Sequence, residues 1–158
     1  ILDDMMETMY HANGIGLAAT QIAIDKRLIV MDCGKTKYET QNISEEEYNE
    51  KIKDEQFEPF PIKMINPEII SLGKSLEERE EGCLSIPGYN AKIKRPSSLK
   101  VKYTDENKKD NIIDAEGLLA TCIQHEIDHL NGILFIDHLS KLKREIILKK
   151  AIKEYSKN

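Results

Sequence analysis

Leu118-Leu119-Ala120-Thr121-Cys122-Ile123-Gln124-His125-Glu126-Ile127-Asp128-His129-Leu130-Asn131 is the stretch on which the reading of this chain turns. Within it, His125-Glu126-Ile127-Asp128-His129 is an instance of H-E-x-x-H. On an α-helix, positions i and i+4 lie one turn apart on one face. Two imidazoles so placed can bind one metal ion, and the Glu between them can take a proton from water at that ion. Leu118, Leu119, Ile123, Ile127 and Leu130 give apolar surface on more than one side, as a buried helix requires. Gly117 precedes the run and Gly132 follows it, where a helix can begin and stop. A pattern with three fixed positions also recurs by chance, and two helical histidines can be polar groups satisfied by their neighbours. The rest of the chain has to decide.

A length of 158 residues is read as one domain, 1–158, able to bury a core without disulfides. Hydrophobic residues at 40% and charged residues at 32% describe a soluble globular protein, and no apolar run is long enough to span a bilayer. A net charge of -5 argues against nucleic-acid binding through overall charge. Cys33, Cys83 and Cys122 are odd in number and widely spaced, so they form no disulfide framework and suit a reducing compartment. The first residue is Ile1, not Met, so the lack of a targeting peptide is uninformative.

Working outward from the central helix, residues 2–12 read as a first helix with Leu2, Met5, Met6 and Met9 on one face, and Asn13-Gly14 as its stop. His11, near that end, reads as a cap or surface residue. Gly14-Ile15-Gly16-Leu17-Ala18-Ala19-Thr20-Gln21 is a small-residue wall that allows close backbone approach and ends in one amide. Residues 27–33 suit a buried strand. Residues 35–58 are an acidic excursion, with Ser44 and Glu47 at capping-box spacing for a short surface helix. Ile62–Asn66 and Ile69–Ile70 look like strand pieces separated by Pro67, and 75–81 like an edge strand. Ala91–Arg95, Leu99–Thr104 and Ile112–Ala115 are further short strands, with a polar hairpin loop at 105–110. The resulting expectation is an α+β fold: short, mainly antiparallel strands packed around the H-E-x-x-H helix, with an amphipathic helix at the C-terminus.

A catalytic H-E-x-x-H site needs a third protein ligand. The pattern with a third His six residues after the second fails at Phe135, and a Glu from a later helix would have to be Glu145 or Glu154, both set among lysines. The remaining soft ligand in a plausible setting is Cys83, within Glu81-Gly82-Cys83-Leu84-Ser85.

With that, three separated motifs stand in order: G-x-G-x-A-A-x-Q at Gly14–Gln21, E-G-C-[LI]-S at Glu81–Ser85, and Q-H-E-x-D-H at Gln124–His129. The sequence resembles the peptide deformylases, from its first residues to around Ser140. It lacks the segment that the family carries before its first helix, and residues 35–58 stand as an insertion. The resemblance implies removal of the formyl group from N-formylmethionine of nascent polypeptides. It implies that Cys83, His125 and His129 hold one divalent metal, ferrous iron in the cell and zinc, nickel or cobalt in preparations. Glu126 then moves the proton, and the backbone N–H of Leu84 and the amide of Gln21 stabilise the oxyanion. Gly16 lets the substrate backbone approach, and Ile15, Leu118, Thr121 and Cys122 wall the methionine slot, with the Thr121 methyl turned inward. Asp128 pairs with Arg95, His138 is structural, and Cys33 is a buried core thiol. The implied setting is the cytoplasm of a bacterium, with an organellar origin left open, and no membrane or sequence-specific nucleic-acid partner.

The last stretch is set apart by charge. From Asp137 on, Lys141, Lys143, Arg144, Lys149, Lys150, Lys153 and Lys157 face only Asp137, Glu145 and Glu154. Leu139, Leu142, Ile146, Ala151, Ile152 and Tyr155 recur at helical spacing and read as one apolar stripe. In the family that is resembled, a basic C-terminal helix docks on the ribosome, which makes the ribosome an expected partner here.

Overall fold

The computed structural model describes residues 1–34 and 59–156. The acidic excursion and its expected surface helix lie outside the described residues. Leu2–His11 forms α1, and Gly16–Ala18 forms the short β1, followed by a 3-10 turn at Ala19–Ile22. The strands β2 (Leu28–Asp32), β3 (Pro61–Leu72), β4 (Leu76–Cys83), β5 (Ile86–Pro96), β6 (Ser98–Thr104) and β7 (Asp110–Glu116) follow. The central helix α2 spans Gly117–Leu130, a second 3-10 turn spans Phe135–His138, and α3 spans Lys141–Tyr155. The expected α+β architecture is thus present. An antiparallel sheet runs in the order β1-β2-β3-β6-β7, and β4 and β5 form a separate two-stranded sheet.

β2 shows why the sheet is covered on both sides. Its run Leu28-Ile29-Val30-Met31 is apolar at every position, which a one-sided strand has no use for. Side chains alternate across a strand, so Ile29 and Met31 join Met64, Leu99 and Val101 against Ala120, Ile123 and Ile127 of α2. Leu28 and Val30 face the other way and pack with Met5, Met6 and Met9 of α1. A third cluster, Ile86, Ile93, Phe135 and Ile136, holds the β4-β5 hairpin against the chain after α2. α2 therefore lies between the five-stranded sheet and the hairpin.

Three expectations are corrected. Pro67 does not divide two strands: β3 is continuous, and the register slips between Ile65↔Thr104 and Glu68↔Lys102. Two residues there oppose one, so the bulge absorbs a proline that has no N–H to give, with Asn66 at φ 51. Cys33 packs at the edge of the first cluster, half-buried rather than fully buried. On α3, the side chains that pack inward are Ile147, Leu148 and Ala151, while Leu142, Ile146, Ile152 and Tyr155 of the expected stripe stand exposed. Leu139 and Ala151 of the expected stripe do pack against the third cluster, but with Ile147 and Leu148 in place of the other four.

Candidate active site

α2 is apolar toward the sheet and polar toward the hairpin. On the polar side, His125 and His129 sit one turn apart, as their spacing requires. The hairpin brings Cys83, at the end of β4, to meet them. One ligand atom from each of Cys83, His125 and His129 lies within 4.8 Å of the others. The Cys83 Sγ is 3.1 Å from His129 Nε2, which is 3.2 Å from His125 Nε2. Phe135, where another metalloprotease pattern would need a histidine, is buried and stacks on the His125 ring at 6.3 Å between centroids.

The far side of His125 is anchored by a residue to which the sequence reading assigned no role. Glu81 Oε2 lies 2.9 Å from His125 Nδ1. Glu81 and Cys83 share one face of β4, and Glu81 opens the motif that contains the cysteine, which was the available signal. Arg95 donates to Glu81 twice, from Nε at 2.6 Å and from Nη2 at 3.0 Å, and Glu81 and Arg95 are both buried. The third arm of Arg95 donates to Asp128 Oδ2 at 2.8 Å, as expected, and His138 Nε2 lies 2.8 Å from that same oxygen. The His125 imidazole is thus held from behind by a chain of charges running through Glu81, Arg95 and Asp128. Such partners fix ring orientation and raise ligand basicity.

The electrostatics follow from this crowding. Burial works to raise the Cys83 thiol, but hydrogen bonds from His125 and His129 outweigh it and bring it down to about 5. Burial works to lower His125, but its contacts with Cys83 and Glu81 bring it up to about 10. Burial pushes Glu126 up to about 7, against the pull of His125 and His129.

Gln21 caps its own turn by accepting from the Ala18 N–H at 2.8 Å, and its Nε2 donates to Ser85 Oγ at 3.0 Å and lies 3.6 Å from Cys83 Sγ. Its amide therefore points at the cysteine. A cavity of about 400 Å³ opens over the cluster, lined by Ile15, Gly16, Gln21, Leu84, Leu118, Thr121, Cys122 and Glu126 among others. Every proposed slot residue is among its walls. The Thr121 hydroxyl donates back to the Gly117 carbonyl at 3.2 Å. Gly16 also serves the site from within. A β-carbon there would collide with the Glu126 carboxylate and come 2.8 Å from Cys122 Sγ. The missing side chain makes room for the acid.

The donor set fits a divalent ion: a thiol held ready to ionise and two imidazoles converge, with a carboxylate beside them whose Oε2 is buried and unpartnered. Among the described residues, no fourth His, Cys, Asp or Glu joins this group. A buried H-E-x-x-H helix closed by a strand cysteine, with a cavity over it, defines a mononuclear metallohydrolase. Residues 1–145 match the polypeptide deformylase family, and the chain belongs to it. A peptide deformylase of Bradyrhizobium diazoefficiens is 52% identical over 95% of this chain and 78% of its own. One of Agrobacterium fabrum is 47% identical over 97% of this chain and 79% of its own. A crystal structure of peptide deformylase from Ehrlichia chaffeensis superposes with a TM-score of 0.79 at 40% identity, covering 97% of this chain and 80% of that one.

Proposed function

We infer that this chain hydrolyses the N-formyl group from N-formylmethionine at the start of newly made polypeptides and releases formate. Family membership supports the reaction, and one observation of the site carries the mechanism: Glu126 Oε2 is buried beside the three ligands with no partner of its own. Cys83, His125 and His129 would hold a divalent ion, which would supply Lewis acidity and make a water nucleophilic at neutral pH. Glu126 would take the proton of the attacking water and later deliver it to the leaving amine. The Gln21 amide and the Leu84 N–H donate to the oxygen that gains charge, and the loss of one such donor costs ~3 kcal/mol of transition-state stabilisation. Glu81 holds His125 through Nδ1, which leaves Nε2 for the metal. Ile15, Leu118, Thr121 and Cys122 receive the methionine side chain. A thiolate and two imidazoles accept iron as well as zinc, nickel or cobalt, and ferrous iron is our reading for the cell.

The test is formate release from formyl-Met-Ala-Ser, measured together with metal content. Parent protein is expected to release formate in proportion to bound metal, and Glu126→Ala to keep the metal and lose almost all turnover. Wild-type formate release by Glu126→Ala would sink the mechanism.

We further infer that α3 holds the enzyme near nascent chains in the cytoplasm by docking on the ribosome. Its lysines and the exposed Leu142, Ile146, Ile152 and Tyr155 support this reading. Binding through phosphate weakens steeply with salt. Charge reversal at Lys149, Lys150 and Lys153 is expected to abolish cosedimentation with ribosomes at low salt, and unchanged cosedimentation would refute docking.

A further inference from the structure

The turn that joins β4 to β5 is short: Cys83 pairs with Ile86, and Leu84-Ser85 lies between them. The mechanism above uses two consecutive residues here, Cys83 as a ligand and Leu84 as an N–H donor. It makes no use of Ser85. A serine in an exposed turn needs no special reason. Its hydroxyl, however, accepts from Gln21 Nε2 at 3.0 Å, from a residue 64 positions away in the chain. Its own N–H donates to Cys83 Sγ at 3.4 Å, which ties the serine to the thiol.

A glutamine amide is planar, with an acceptor at one end and two N–H groups at the other. The acceptor end of Gln21 is held by the Ala18 N–H at 2.8 Å. One contact leaves the plane free to swing about it. Ser85 is the second contact, and two anchors fix the plane. Ser85 also sorts the two hydrogens of Nε2. One goes to Ser85 Oγ, and the other is left on the side of Cys83 Sγ, 3.6 Å away. Gln21 and Cys83 both wall the cavity over the ligands. On the deformylase reading, that second N–H faces the place where the formyl oxygen gains charge. Such a donor is worth most when it is oriented beforehand, because nothing has to reorganise as the charge develops.

We propose that Ser85 is a positioning residue of the deformylase reaction: its hydroxyl locks the Gln21 amide so that the second Nε2 hydrogen meets the oxyanion. This rests on the reading above. In this role Ser85 acts through Gln21 alone. Its loss is therefore felt in turnover and not in substrate binding, and only while Gln21 is present.

The experiment measures kcat and KM for formate release from formyl-Met-Ala-Ser. It uses the zinc-loaded parent, Ser85→Ala, Ser85→Thr, Gln21→Leu and the double variant Gln21→Leu/Ser85→Ala. Ser85→Ala is expected to lower kcat about 3- to 10-fold with KM unchanged, as loss of one ordinary hydrogen bond predicts. Ser85→Thr keeps the hydroxyl and should recover the parent kcat. In the Gln21→Leu background, Ser85→Ala should have no further effect, because residues that act through one another are not additive. Zinc affinity from chelator competition should be the parent's in Ser85→Ala, since the backbone N–H to Cys83 remains. The proposal is overturned by an undiminished kcat in Ser85→Ala, by a loss confined to KM, or by a threonine variant as slow as the alanine one. It is equally overturned by the same fold-loss in the Gln21→Leu background, or by a fall in zinc affinity, which would put the hydroxyl in the service of the metal site. A parent that releases no formate overturns the deformylase reading and this proposal with it.

Discussion

Glu81 is the residue on which the site's rigidity is expected to depend most, and its removal can be worked through. Its carboxylate is almost fully buried, accepts two hydrogen bonds from Arg95 and meets His125 Nδ1 at 2.9 Å. Glu81→Ala leaves the equally buried Arg95 with Asp128 alone. Breaking a buried pair by deleting one partner costs about 3–5 kcal/mol. For a chain of this size each kcal/mol moves Tm by roughly 2–4 °C, so the melting temperature should fall by roughly 6 to 20 °C. Glu81→Gln preserves volume and one acceptor and isolates the charge. It should melt closer to the parent and still bind metal about 10- to 100-fold more weakly, because His125 loses the partner that orients it. Thermal unfolding of the zinc-loaded proteins, with zinc affinity from chelator competition, measures both effects. A Glu81→Gln protein with the parent's zinc affinity would refute the role assigned to Glu81, whatever its melting temperature.

Three further outcomes follow from the same geometry. Gly16→Ala should retain metal yet lose about 100-fold in kcat, since its methyl displaces the Glu126 carboxylate; an undiminished kcat would show that the acid has room to move. Gln21→Leu should lower kcat more than it changes KM, because an oxyanion donor acts in the transition state, and a loss confined to KM would make Gln21 a ground-state contact. In metal-free protein, burial holds Glu126 protonated up to about 7, well above the usual carboxylate range. The unfolded chain therefore releases this proton first, so stability falls as pH rises from about 4.5, and the loss, ~3 kcal/mol, is complete above about 7. Glu126→Gln should remove that slope in denaturant titrations at pH 4.5 and 8; parallel pH dependence in the two proteins would contradict the burial argument.

The ligand helix was readable because helical periodicity alone places His125 and His129 together and turns Ile123 and Ile127 to the sheet. β2 was readable because every one of its central residues is apolar. The role of Glu81 was not, since a glutamate in an acidic strand, Glu77-Glu78-Arg79-Glu80-Glu81, looks like solvated charge until Arg95 is seen beneath it. Nor was the room that Gly16 leaves for Glu126, because a glycine reports the absence of a side chain and not which neighbour needs the space. The inward face of α3 was misjudged for a related reason. Leucine, isoleucine and alanine occur around much of its circumference, and only the position of the hairpin decides which of them pack.

The two halves of the metal centre lie far apart along the chain: Cys83 and His129 are separated by 46 residues, and Glu81 and His125 by 44. Closing a loop of that length has an entropic cost that only the finished contacts offset, so such pairings form late in folding. An ion bound by all three side chains therefore marks a molecule whose hairpin has already docked on the helix. Metal uptake during refolding would serve as a clock for that final step, and a chain stalled before docking would offer the ion no more than a pair of imidazoles on one turn.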